Sequence, residues 1–231
     1  MVQVGFSIIC GSRGIFAGQK RKQGESMREK LNLYMEEKSL AQILSRYHFR
    51  KSDEAQIRGL TECLMQTAEP ALYYAPCTQE DARRLAVLVT LGAGVDEMQS
   101  AFTQKGQLSE SYMIECIAME LLGNAYEQSA EKIYSHYGLW TGEFAFLGDR
   151  VPIEETEALF RILQPREISY NQAYMFTPRK TVAFYTELTQ KRQESYCNQC
   201  ETCRNTKCAN RNACLTYGYR QIFGGREIRR V

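Results

Sequence analysis

The segment RLAVLVTLGAGVDEMQSAFTQKGQLSESYMIECIAMELLGNAY (84–126) sets the class of fold. Its first residues are a β-branched and aliphatic run closed by Gly92 and Gly94, the signature of a buried strand. VDEMQSAF (95–102) then reads as a short helix, broken by Lys105 and Gly106, and a long helix starts near Ser109. In that helix Ile114, Ile117, Ala118, Leu121 and Ala125 recur at the i, i+3, i+4, i+7 and i+11 spacing of one face. Just upstream, ALYYAPC (71–77) is a second strand, separated from the first by the polar turn CTQED (77–81).

Working outward, Leu40, Ile43, Leu44 and Tyr47 mark one face of a helix with Ser39 at its N-cap. A second helix is expected from Asp53 to Thr67, burying Ile57, Leu60 and Leu64 and stopping before Pro70. Pro152 followed by Ile153, Glu154 and Glu155 starts another, because proline suits a first helical turn and carboxylates favour the positive end of the dipole. It should end by Pro165. ISYNQAYMFTPRKTVAFYTEL (168–188) is aromatic and β-branched with Pro178 in its middle, so it reads as two strands around a turn or bulge. The expected class is α+β: a helical N-terminal part packed on a twisted, mainly antiparallel sheet, plus a small Cys-rich C-terminal appendage. Residues 1–30, rich in Gly, Lys, Arg and Gln, read as a flexible extension, 31–190 as the folded core and 191–231 as the Cys-rich tail.

Composition narrows the function classes. With 231 residues and 44% apolar content the chain can bury a sizeable core. Its 29 basic and 27 acidic residues leave a net charge of +2, so no global field draws it to nucleic acid, and a nucleic-acid partner is not expected. No window approaches the roughly 18 uninterrupted apolar residues of a membrane span. The first residues lack a basic group before their short apolar patch, so no signal peptide is read and the expected compartment is the cytoplasm, where thiols stay reduced.

Cysteine usage then becomes informative. Of the nine cysteines, Cys197, Cys200, Cys203, Cys208 and Cys214 fall in the run CNQCETCRNTKCANRNAC (197–214). Two-residue gaps let neighbouring thiolates aim at one centre, so clustered reduced cysteines read as ligands. The spacing C-x2-C-x2-C-x4-C is one residue longer in its last gap than the bacterial ferredoxin run and lacks the following proline. Tetrahedral zinc accepts the same four thiolates. An iron–sulfur cluster and a zinc ion both remain open, held by Cys197, Cys200, Cys203 and Cys208 with Cys214 as a replacement for any one of them. Cys10, Cys63, Cys77 and Cys116 are scattered and read as small buried hydrophobes or idle thiols.

Three segments carry a resemblance that periodicity does not show. VTLGAGVDEMQSAFTQKGQLSESYMIECIAMELL (89–122), VPIEETEALFRIL (151–163) and SYNQAYMFTPRKTVAF (169–184) are similar to the vitamin B12-dependent methionine synthase activation domain, and in particular to short stand-alone members from anaerobes. The likeness covers roughly residues 36–190, and its most specific piece is Met175-Phe176-Thr177-Pro178 with Thr181-Val182. It implies an accessory role: docking on a cobalamin-carrying methyltransferase module whose cobalt has been oxidised to Co(II), so that a low-potential electron donor can reduce it while S-adenosylmethionine traps the product. The cobalamin must belong to the partner, because neither His48 nor His136 lies in the Asp-x-His-x-x-Gly pattern that ligates it. The chain departs from the family before Pro152, where an Arg-Pro-x-x-Gly-Tyr element is replaced by GEFAFLGDRVP and only Gly148 and Arg150 echo it. Whether the chain binds S-adenosylmethionine is therefore left open by the resemblance.

Tyr174, Phe176, Phe184 and Tyr185 are the residues expected to line a cleft for a flat ligand or a corrin edge, against the alternative of aromatic packing in a twisted sheet. Two functions follow from the whole chain. One is an accessory protein for reductive reactivation of a cobalamin-dependent methyltransferase, with the tail as electron relay. The alternative is a non-catalytic module that binds a corrinoid protein or another partner and carries a structural zinc site.

Overall fold

The computed structural model describes residues 26–35, 37–78 and 83–193. At its centre β2 (Ala71–Pro76) and β3 (Arg84–Thr90) pair antiparallel, with Tyr74 opposite Val87. Residues 71–75 and 85–90 are all buried, so both faces of the pair are covered. This explains why both strands read as continuous apolar runs without alternation. β8 (Thr181–Thr189) pairs with β3 along one side, and along the other with β4 (Trp140–Thr141) and β5 (Ala145–Phe146). β1 (Met27–Lys30) lies against β2 at the opposite edge. The order is β1-β2-β3-β8-β4 with β5 also on β8, and every pair is antiparallel.

Helices α1 (Glu37–Arg46), α2 (Glu54–Thr67), α3 (Ala93–Gln104) and α4 (Leu108–Tyr137) belong to one face. Ile114, Ile117, Ala118, Leu121 and Ala125 of α4 are fully buried against a core shared with Ile57 and Leu64 of α2 and with Leu72, Val87 and Phe184 of the sheet. The other face carries α5 (Thr156–Leu163), which follows a single 3-10 turn at Ile153–Glu155, and the hairpin of β6 (Ser169–Tyr170) and β7 (Phe176–Thr177). Leu159 and Leu163 of α5 pack with Ala86, Leu88, Ala183 and Tyr185. Each such leucine contributes about 2 kcal/mol by leaving water.

The glycines of the β3–α3 turn are explained by proximity. A Cβ on Gly94 would sit 2.0 Å from the Thr67 carbonyl oxygen, and one on Gly92, whose φ is +86°, would sit 2.8 Å from Glu69. The end of α2 therefore packs directly on the backbone that starts α3, and LGAGVDE is a strand-to-helix turn.

Three expectations are corrected. Met27–Lys30, expected in a flexible extension, is an edge strand whose Arg28 and Glu29 hydrogen-bond Tyr73 and Tyr74. Ser39 is not an N-cap, since α1 already runs from Glu37. The segment 168–188 forms three strands, because the β6–β7 hairpin precedes β8. The two-residue strands β4 and β5 lacked any propensity signal. No described helix is long and apolar enough to cross a membrane. The cysteines of the tail and Cys10 lie outside the described residues.

Candidate functional site

The β6–β7 hairpin is built by one side chain. Asn171 Oδ1 accepts from the backbone N–H groups of Ala173 and Met175 at 2.9 and 3.0 Å, and the Tyr174 N–H donates to the Asn171 carbonyl at 2.9 Å. This closed turn holds Tyr174 at a φ of +58°, a left-handed conformation that is costly for a bulky residue. The Tyr174 ring lies parallel to that of Tyr170 at 5.9 Å, and Tyr170 in turn meets the edge of Phe160 at 4.7 Å. Phe176 stacks on Phe160 at 5.9 Å. Beside this aromatic ladder Met175 is 61% exposed. Partial loss of hydration, then the carboxylates of Glu157 and Glu154, raises the Tyr174 phenol above its ordinary range.

The four aromatic residues singled out in the sequence do not share one cleft. Phe184 points into the helix-covered core, stacked on Phe144 at 4.0 Å and surrounded by Tyr126 and Phe146. Tyr185, the next residue along the strand, points to the α5 face, because strand side chains alternate. There it shares a cluster with Phe176, and the Arg84 guanidinium lies 4.8 Å above its ring. Burial, then Cys77 and Glu155, pushes the Tyr185 phenol up to about 12, against the opposing pull of Arg84. The structure thus brings Tyr174, Phe176 and Tyr185 to one face and separates Phe184 from them. Phe160 and Tyr170 complete the ladder and were missed from sequence. Tyr170 precedes the turn-forming Asn171 by one residue, which is the signal that would have found it.

A polar group lies on the same side of the sheet. Arg28 Nε donates to the Tyr73 hydroxyl at 3.0 Å, and that hydroxyl donates to the Glu167 carboxylate, which also pairs with Arg28 at 3.4 Å. The hydrogen bond from Tyr73, with the nearby Arg28 charge, holds Glu167 below the usual carboxylate range. On the helical side Glu120 of α4, only 4% exposed, accepts from Arg46 and, at 2.9 Å, from the Tyr47 hydroxyl. Burial and that carboxylate drive the Tyr47 phenol strongly upward. This is a lock between α1 and α4, since both partners of the charge pair are satisfied where they are withdrawn from water.

Of the cysteines, Cys63 is exposed, Cys77 half-buried, and Cys116 buried with its thiol pushed up to about 11 by loss of hydration. No group of three His, Cys, Asp or Glu that could hold a metal occurs among the described residues. Gly148, in the segment that replaces the Arg-Pro-x-x-Gly-Tyr element, sits in a tight turn whose N–H donates to the Val151 carbonyl at 2.8 Å, and Arg150 pairs with Glu143 at 2.5 Å.

No protein-family model matches the chain. No curated protein matches it either. Among solved structures, the chain is similar to a crystal structure described as the MetH reactivation domain bound to AdoHcy, with 8% sequence identity and a TM-score of 0.47 over 86% of this chain and 91% of that one.

Proposed function

We propose that this chain is an accessory module for reductive reactivation of a cobalamin-dependent methyltransferase of the methionine synthase type. In this reading the α5 face docks on the corrinoid-carrying partner, with Tyr174, Tyr170 and Phe176 offered to the flat macrocycle while Tyr185 stays buried in the cluster behind them, and the Cys-rich tail passes on one low-potential electron. The chemistry required is Co(II) plus one electron giving Co(I). The electron comes from a reduced iron–sulfur centre on Cys197, Cys200, Cys203 and Cys208, with Cys214 in reserve, which an external low-potential donor recharges. S-adenosylmethionine is left out of the proposal, because GEFAFLGDRVP stands where the family carries its Arg-Pro-x-x-Gly-Tyr element.

The observation that carries the proposal is the display of Tyr174. A bulky side chain in the left-handed region costs on the order of 1–3 kcal/mol, and such strain persists where the surrounding structure over-determines it. Asn171 does so here, and what the strained turn presents is a pair of parallel rings and an exposed methionine, not a core contact. Broad apolar faces of this kind suit stacking against a planar ligand edge.

The test uses anaerobically prepared protein and a cobalamin module poised as Co(II). The expected outcome is a stoichiometric complex and, with a low-potential reductant, faster appearance of the Co(I) spectrum. Y174A should weaken the complex at least tenfold. C200S should abolish the rate gain while leaving the complex intact. If the complex forms, the chain proves colourless with stoichiometric zinc, and no rate gain is seen, the zinc-bearing binding module is the correct function. Absence of any complex would remove both.

A further inference from the structure

Three consecutive residues, Arg179, Lys180 and Thr181, carry the chain from the β6–β7 hairpin into β8, and each is anchored. The Lys180 carbonyl accepts from the Leu91 N–H at 2.9 Å and the Thr181 hydroxyl donates to that of Thr90 at 2.8 Å, which fixes the start of β8 on the end of β3. Arg179 is held by α3 instead. Its backbone N–H donates to Asp96 Oδ2 at 2.7 Å, its Nε to Asp96 Oδ1 at 3.3 Å, and its guanidinium to Gln99 Oε1 at 2.9 Å. Gln99 is itself oriented, since its amide nitrogen donates to the Ser111 carbonyl and the Glu115 carboxylate, both at 3.2 Å, and Glu115 pairs with Lys180. α3, α4 and the connection therefore form one network.

The consequence reaches the other face of the sheet. Thr177, the last residue of β7, is two residues before Arg179, so at most about 7 Å of chain separates the hairpin from this clamp. On its far side the hairpin rests on Phe160 through the rings of Tyr170 and Phe176. The Arg179 side chain is half exposed, and an exposed ion pair of this kind contributes little. The main-chain hydrogen bond to the carboxylate is the stronger link, being short and charge-assisted. Resting on the reading of this hairpin as the docking element, we infer that Asp96 is its positioning residue: by fixing the Arg179 main chain it holds the pose in which Tyr174 and Met175 are displayed to the partner.

Amide exchange of the full chain, followed by NMR, reads that pose, because the N–H groups of Ala173, Tyr174 and Met175 all donate to Asn171. In D96A these amides should exchange at least about fivefold faster, while those of Val87 and Leu88 at the sheet centre keep their parent rates. D96N, which retains one acceptor oxygen, should fall between D96A and the parent. R179A keeps the backbone N–H and should change exchange less than D96A does. Bound to the Co(II) cobalamin module, D96A should form a complex at least about threefold weaker than the parent's, since its hairpin is no longer pre-organised. Unchanged hairpin exchange in D96A would overturn the clamp, and equal acceleration at Val87 and Leu88 would overturn its local role. R179A matching D96A would overturn the main-chain link. Faster hairpin exchange with a complex as tight as the parent's would overturn the part played in docking. Faster hairpin exchange where the parent chain itself binds nothing would overturn the docking reading and leave the clamp standing.

Discussion

Single residues in this protein differ sharply in what they contribute, and the adjacent pair Phe184 and Tyr185 shows why. Phe184 fills the centre of an aromatic cluster with Phe144, Phe146 and Tyr126 at full burial. F184A should therefore cost about 4 kcal/mol through lost transfer energy and a residual cavity, a large part of the whole stability of a domain. Y174A removes a half-exposed ring from a turn and should change stability by no more than about 0.5 kcal/mol. Urea titration of the two variants separates them, and equal losses would contradict the packing. A pH effect follows from the buried acids. Burial pushes Cys116 up to about 11 and Tyr137 and Tyr185 to about 12, each above its unfolded value. The folded state then keeps protons that the unfolded chain has already released. Stability from these groups is complete below about pH 9 and falls as pH rises towards 12. Denaturant midpoints at pH 8, 9, 10 and 11 should decline progressively, and C116A should flatten the first part of the decline.

At the scale of elements, the contact between the end of α2 and the start of α3 is the tightest joint in the fold. With 2.0 Å available between a Cβ on Gly94 and the Thr67 carbonyl, G94A must push the helices apart and should cost about 3 kcal/mol or more. Gly59, within α2 and with nothing within 4 Å of a Cβ, gives the opposite sign. G59A should stabilise by about 0.5–1 kcal/mol through helix propensity. Thermal melts of both variants check the pair. These cases also show where sequence was readable. The face of α4 announced itself because five buried apolar residues repeat at helical spacing, and β2 and β3 did so because burial on both faces leaves uninterrupted apolar runs. β1 is Met-Arg-Glu-Lys, with no β-branched residue; partner side chains and backbone pairing supplied by Tyr73 and Tyr74 hold it, and only tertiary structure reveals them. The candidate site was half legible. Period-two alternation in β8 separates Phe184 from Tyr185 on inspection, whereas the left-handed Tyr174 depends on hydrogen bonds to Asn171 that composition does not signal.

Among the described residues a six-stranded sheet carries a core on each face, and the buried apolar residues of both cores lie between Leu31 and Leu188. The Cys-rich tail begins after the last of these. If folding belongs to the body and metal chemistry to the tail, cutting the chain between them separates the two. A chain ending at Gln193 keeps both described cores, the Glu120–Arg46 lock and the ion pair of Arg192 with Glu131. Its melting temperature, followed by circular dichroism, should stay within a few degrees of the parent chain, since about 1 kcal/mol corresponds to roughly 2–4 °C at this size. Bound iron or zinc should disappear with the tail, and so should any gain in the rate of cobalt reduction, while binding to the corrinoid partner through the Tyr174 face persists. A collapse of the melt would instead mean that the tail completes the core. Loss of partner binding with the melt unchanged would move the docking surface from the aromatic hairpin to the cysteines.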